Sequence, residues 1–270
     1  MKSESVKYYF KANMDAWDKK TPVHFASALY NVEEVKKGGS SLNKIEIDAL
    51  GNVSNKRILH LQCHFGLDSI SLTRMGAKVL GVDFSTKAIE KARKLAKELN
   101  VSTRFLVANI YDDLDKIIKE KFDIVFCSYG SICWLPDLDK WAKVISKMMA
   151  KDAFLYIVDF HPLLNTFDCL LSDTKRSYFY SKKPFKREWH GTYADYSSSI
   201  ETIEYNWNHS MAEIFGSLKN NGLTIDEFKE LPYLPKEWFP NLVKGEDGLY
   251  RVNGSENIYP LLFSIKAIKL

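Results

Sequence analysis

Between Lys56 and Asp159 the chain alternates short β-branched or apolar runs with amphipathic stretches, and this alternation leaves few folds open. The runs Arg57–Leu61, Lys78–Asp83, Thr103–Val107, Phe122–Cys127 and Ala153–Asp159 read as strands. Between them, Thr86–Leu99 carries Ile89, Ala92, Ala96 and Leu99 at helical spacing, and Asp137–Met149 carries Leu138, Trp141, Ile145 and Met148 likewise. Each such helix buries one face on the sheet. Strand, crossover helix and parallel strand repeated in this way predict a doubly wound, mostly parallel α/β sheet.

The flanks behave differently. Residues 1–53 are rich in aromatics and predict a helical lid, with Ser40, Ser41 and Asn43 as candidate caps of a helix through Leu50. After the fifth strand, residues 163–206 are dense in Ser, Tyr, Lys and Thr with little helical periodicity, which predicts a β-rich insertion capping the substrate side. Asn208–Asn220 then reads as a helix closed by Gly222, Leu223–Leu231 as a strand, and Ile258–Lys269 as a final strand, so the sheet ends antiparallel. All 270 residues, 46% of them hydrophobic and 27% charged, are expected to form one domain with these elaborations.

Lys and Arg number 38 against 34 Asp and Glu, a net charge of only +4. The runs Lys182-Lys183 and Lys186-Arg187 are short and suit a solvated loop, so no nucleic-acid partner is expected. No apolar run is long enough to cross a bilayer, and the opening MKSESVKYYF lacks a signal-peptide core, which predicts a cytoplasmic protein without a membrane partner. Cys63, Cys127, Cys133 and Cys169 form no CxxC pair, so reduced thiols and no metal are expected.

The stretch RILHLQCHFGLDSISLTRMGAKVLGVDFS concentrates the chemistry: a strand, a turn containing Gly66, a helix, a second strand and an acid, Asp83, at its tip. Such a crossover aims backbone N–H groups and a helix N-terminus at a ligand while the acid meets ribose hydroxyls, roughly 20 residues after the turn. Gln62 and His64 stand where two turn glycines of a dinucleotide site would fall. A pyrophosphate would lose close backbone approach there, which disfavours a nicotinamide-dependent oxidoreductase. A ligand without phosphates tolerates the bulkier turn.

These residues resemble the first motif of the class I S-adenosylmethionine-dependent methyltransferases, in a subgroup whose turn reads HLQCHFG where DLGCGTG is commoner. The likeness continues through GVDFS, through VANIYD at Val107–Asp112, through FDIVFCSYGSICWLPDLDKW at Phe122–Trp141 and through LYIVDFHP at Leu155–Pro162. The resemblance implies a seven-stranded Rossmann-like sheet and S-adenosylmethionine as cofactor. It places Gln62, His64 and Gly66 along the methionine and ribose, Asp83 on the ribose diol and Phe84 against the adenine. Asn109 would reach the adenine amino group through its side-chain carbonyl, and Ile110 would present a backbone N–H and an apolar face. Ser128 and Tyr129 would flank the sulfonium. His60 replaces the acid that relatives use for the methionine amine; a neutral imidazole can accept a hydrogen bond from that amine, with Gln62 sharing the task, but supplies no charge.

His161 follows the fifth strand, at the sheet edge where ligands bind, and is a candidate general base; the alternative is a loop spacer held by Pro162. His209, between Asn208 and Ser210, is either part of a helix cap or, with Tyr205 and Trp207, part of an acceptor pocket. Tyr129 is the third catalytic candidate. His190 and Tyr193 suit packing of the cap, and Trp134 packing of the fourth strand. Trp17, His24 and Tyr30 would pack as a lid, where an aromatic face attracts a sulfonium. The expectation is methyl transfer to a small-molecule acceptor, at oxygen or nitrogen rather than carbon, by a monomer or homodimer. The alternatives are a methyltransferase of RNA or protein, and a cofactor-binding protein without turnover.

Overall fold

The computed structural model describes residues 3–112, 114–167 and 176–269, so Cys169 and positions 168–175 of the insertion lie outside the described residues. Three helices precede the sheet: α1 (Ser3–Ala26), α2 (Val32–Lys36) and α3 (Lys44–Leu50). There follow β1 (Arg57–Leu61), α4 (Leu67–Arg74), β2 (Lys78–Asp83), α5 (Thr86–Glu98), β3 (Arg104–Val107), α6 (Leu114–Ile117), β4 (Phe122–Ser128), α7 (Leu138–Met148) and β5 (Met149–Phe160). The remainder comprises β6 (Phe185–His190), β7 (Glu201–Asn206), α8 (Met211–Asn220), β8 (Leu223–Leu231), β9 (Leu242–Lys244), β10 (Tyr250–Val252) and β11 (Leu262–Lys269).

The main sheet has seven strands in the order β3-β2-β1-β4-β5-β11-β8. Its first five strands pair in parallel, whereas β11 runs antiparallel to both β5 and β8. Successive side chains of a strand face opposite sides. Leu59 and Leu61 of β1 accordingly join the α7 and α8 side with Trp141, Ile145 and Ile214, while Ile58 packs on the other side with Leu50 and Leu72. The edge strand β8 carries charges at Asp226, Glu227, Lys229 and Glu230, which discourages pairing with another chain.

The boundaries move where local chemistry demands. α7 begins at Leu138 because Asp137 caps it, accepting from the Lys140 N–H at 3.0 Å. β5 starts at Met149 with no intervening loop, and the pairing with β4 absorbs the shift between Phe122 and Ile124, with Asp152 at φ 60°. α8 starts at Met211, capped by Ser210, three residues later than the apolar pattern suggests. β11 starts after Pro260, which has no N–H to give a ladder. The stretch between β8 and β11 holds the small β9–β10 pair.

The insertion contributes a separate hairpin, β6 against β7, preceded by a 3-10 turn at Pro162–Thr166. α1 lies along β7. Asn13 exchanges two hydrogen bonds of 2.8 Å with the Tyr205 main chain, and Lys20 forms a buried ion pair with Glu204. α1 and the β6–β7 hairpin are thus held together as one layer. Among the described residues no helix is long and apolar enough to cross a membrane.

Candidate active site

The strand order reverses between β1 and β4, and the crevice outside the carboxyl ends of such strands is where open α/β sheets bind ligands. A cavity of about 590 Å³ opens there, lined among others by Trp17, Gln62, Asp83, Ser128, Trp189 and Tyr193. This volume lies in the range of small-molecule sites, roughly 300–1,000 Å³.

The turn after β1 adopts a glycine-like path without the glycines. Gln62 and His64 hold φ of 54° and 51°, and Tyr129 after β4 holds 39°. Each non-glycine residue in this left-handed region costs roughly 1–2 kcal/mol, and such strain collects at functional sites. Gly66, at φ 77°, does need to be glycine: a Cβ there would stand 2.4 Å from the Phe105 ring.

Asp83 ends β2 and is buried. Its carboxylate accepts from the His64 N–H and the Ser85 N–H, both at 2.8 Å, so it braces the turn and the start of α5 while lining the cavity. Burial raises its pKa to about 6 against the pull of those two donors. Ser85 caps α5 by accepting from Ala88 N.

His60 is buried and its pKa is pushed down to about 4 by desolvation, although Asp68 opposes this. Its Nδ1 meets Ser69 Oγ at 2.8 Å and its Nε2 meets Ser128 Oγ at 3.4 Å. Asp68, which the sequence reading passed over, lines the same cavity and accepts from Ser41 Oγ at 2.6 Å and Ser128 Oγ at 3.2 Å. The signal for it was an acid in the first turn of α4, where the helix dipole favours one. Gln62 donates from Nε2 to the Ser131 carbonyl at 2.7 Å, while its Oε1 is buried without a partner. An open acceptor lining the same cavity as the Asp68 carboxylate suits an ammonium group.

A second missed residue organises the opposite wall. Asp159 stands one residue before the end of β5, and its carboxylate gathers the N–H groups of Gly130, Ser131 and Ile132, together with the Ser131 hydroxyl. This fixes the loop that presents the Ser131 carbonyl to Gln62. Phe84, Asn109 and Ile110 line a separate small cavity of about 30 Å³ together with Gln62 and Asp83, and Phe10 and Asn13 of α1 form part of its wall. The Asn109 side-chain oxygen accepts from Tyr111 N at 3.0 Å, a use the sequence reading did not foresee.

The three catalytic candidates fare differently. His161 does not line the cavity: its Nδ1 accepts from Leu163 N at 3.2 Å and its Nε2 meets Glu230 Oε1 at 2.9 Å. His209 is likewise away from it, with Nε2 held 2.6 Å from the Leu135 carbonyl and its ring stacked on Tyr180. Tyr129 does line the cavity, but its hydroxyl is bonded to Glu46 and accepts from Asn43 Nδ2 at 3.1 Å. Trp17, His24 and Tyr30 surround the His64 ring, with His24 Nδ1 3.3 Å from His64 Nε2. Both imidazoles are held neutral chiefly by burial.

Residues 58–152, from β1 into β5, match the family model described as a methyltransferase domain. Among solved structures, a SAM-dependent methyltransferase from Methanosarcina mazei aligns with 85% of this chain and 98% of its own, at 20% identity and a TM-score of 0.56. An S-adenosylmethionine-dependent methyltransferase from Clostridium acetobutylicum aligns with 88% and 95%, at 13% identity and 0.56. The chain has the Rossmann-like methyltransferase fold. Within that fold the seven-stranded sheet and its antiparallel end are as the sequence led us to expect. Among curated relatives, the ubiquinone biosynthesis O-methyltransferase of Pelagibacter ubique is 30% identical over 115 residues, which is 43% of this chain and 46% of that protein. The chain thus matches less than half the length of that relative.

Proposed function

We propose that this protein is an enzyme transferring a methyl group from S-adenosylmethionine to a small-molecule acceptor, at oxygen or nitrogen, and that it belongs to the HLQCHFG subgroup of the class I enzymes. The observation carrying this reading is the convergence of Asp83, Asp68 and the unpartnered Gln62 Oε1 on one cavity at the switch point. When bound, the cofactor supplies an electrophilic methyl group on sulfur. Asp83 accepts from the ribose hydroxyls while its backbone donors hold it in place. Asp68 and Gln62 Oε1 receive the methionine amine, so Asp68 provides the charge that neutral His60 does not. Phe84 and Ile110 offer the apolar walls for the adenine, which requires α1 to yield at Phe10 and Asn13. Ser128 and the Trp17 face border the reacting centre. Rate comes mainly from alignment in a site screened from water by α1 and the cap. The ubiquinone-pathway relative, an O-methyltransferase by name, supports a small acceptor.

Calorimetric titration with S-adenosylhomocysteine tests the cofactor reading: the parent binds and Asp83→Ala loses at least tenfold in affinity. No binding by the parent, or equal binding by both, overturns it. A cofactor-binding protein without turnover is a second reading, favoured by the placement of His161 and His209 away from the cavity. Release of S-adenosylhomocysteine over a panel of acceptors decides between them.

A further inference from the structure

The cap side of the cavity has the opposite polarity to the sheet side. Among the residues lining the cavity, the unsatisfied atom at the sheet is an acceptor, Gln62 Oε1, and those toward lid and cap are donors, Trp17 Nε1 and Arg187 Nε, both buried. Arg187 lies on β6 directly across from Glu204 of β7, but the Glu204 carboxylate is already taken by the buried ammonium of Lys20. Among the described residues no carboxylate pairs with Arg187. Its guanidinium stands 5.5 Å from the centroid of the Phe185 ring, and that of Arg176 stands 4.7 Å from the same ring. The Arg187 guanidinium, with a free donor beside a cavity, attracts an anion. The surrounding walls are aromatic, with Trp189, Tyr193, Phe160 and Trp238 among them.

Resting on the methyltransferase reading above, we propose that the acceptor is a planar, apolar carboxylic acid whose carboxylate is received by the cap, with Arg187 as its anchor and Trp17 Nε1 as a further donor. The aromatic walls take the apolar body and leave the nucleophilic atom toward Ser128. Arg187 is a specificity residue here and takes no part in bond making. A carboxylate on the cap could also belong to the methionine end of the cofactor, and the experiment separates the two sources.

Benzoate and its uncharged analogue benzamide serve as probes, titrated by ligand-observed NMR into the full chain with and without saturating S-adenosylhomocysteine. Benzoate is expected to bind at least tenfold more tightly than benzamide, and Arg187→Met to reduce that preference to twofold or less while S-adenosylhomocysteine affinity stays within twofold. Arg187→Lys, which keeps the charge and strand packing but not Nε, should retain an intermediate preference and covers the case in which Arg187→Met does not fold. No preference for benzoate in the parent, or a preference unaltered in the folded Arg187 variant, overturns the proposal. A tenfold loss of S-adenosylhomocysteine affinity in that variant also overturns it, by assigning the anion to the cofactor. If the parent fails to bind S-adenosylhomocysteine, the cofactor reading falls, while the benzoate preference of the ligand-free chain still reports on Arg187.

Discussion

The side-chain amide of Asn13 and the main chain of Tyr205 exchange two hydrogen bonds of 2.8 Å, so that a residue of α1 completes the outer edge of β7 as a neighbouring strand would. Asn13 is 1% exposed, and its amide has both hydrogen-bonding groups committed to this part-buried contact. Asn13→Ala should therefore cost about 2 kcal/mol, the scale of leaving buried polar groups unsatisfied. Denaturant unfolding measures the loss, and hydrogen exchange should quicken in α1 and β7 together. Faster exchange in α1 alone would show that lid and cap are not joined through this contact.

Gly66→Ala should destabilise by about 3 kcal/mol, combining the left-handed backbone with overpacking against Phe105. Because the obstacle is a ring and not main chain, Phe105→Leu in the Gly66→Ala background should recover part of the loss in thermal unfolding. Strictly additive losses would show that the ring is not what requires glycine.

Asp83 gives a pH dependence with a definite sign. Its ordinary pKa is 3.8 and burial raises it to about 6 in the fold, so between these values the folded chain binds more protons than the unfolded one. Stability from this group falls as pH rises from about 4 to about 6, by at most about 3 kcal/mol, and is flat above. Glu46, raised by burial to about 7, acts in the same direction, so the comparison is between the parent and Asp83→Asn, whose unfolding free energy should decline less over that window. Cofactor affinity should move the other way: ribose hydroxyls donate to the ionised carboxylate, so binding measured by calorimetry strengthens from pH 5 to pH 7 in the parent and stays level in Asp83→Asn.

Asp159→Asn keeps the shape but turns one oxygen into a donor facing the N–H groups of Gly130, Ser131 and Ile132. We expect a loss of about 3 kcal/mol in chemical unfolding, the scale of several unmet buried donors. S-adenosylhomocysteine affinity should weaken as well, because Ser131 no longer holds Gln62. Normal affinity in a destabilised protein would separate the loop from the site.

The sheet was legible because buried strands and crossover helices carry their burial in their own periodicity, as Ile89, Ala92 and Ala96 of α5 do. Asp83 and Gly66 were legible because their positions are fixed by the local strand-turn-helix path. What escaped was whatever depends on partners far along the chain. Nothing around His161 announces Glu230, 69 residues on, and nothing around His209 announces the Leu135 carbonyl, 74 residues back. Gln62 and His64 hid their backbone state, since non-glycine side chains in a glycine-like turn are recognised only from the dihedral angles. Asp68 and Asp159 were each visible as residues, but their roles come from loops packed against them.

The stretch matched by the methyltransferase family model, 58–152, contains Asp83, Asp68 and Ser128. Trp17 and Lys20 come from before it, and Arg187, Trp189 and Tyr193 from after it. The flanks that complete the cavity can therefore vary while Asp83, Asp68 and Ser128 of the sheet side stay in place. The two overlying pieces must travel together, because Asn13 with Tyr205 and Lys20 with Glu204 key one to the other. A chimera carrying a foreign cap on this chain's own first helix would inherit a buried lysine with no counter-charge, and selectivity in such chains should pass down as a matched pair of flanks.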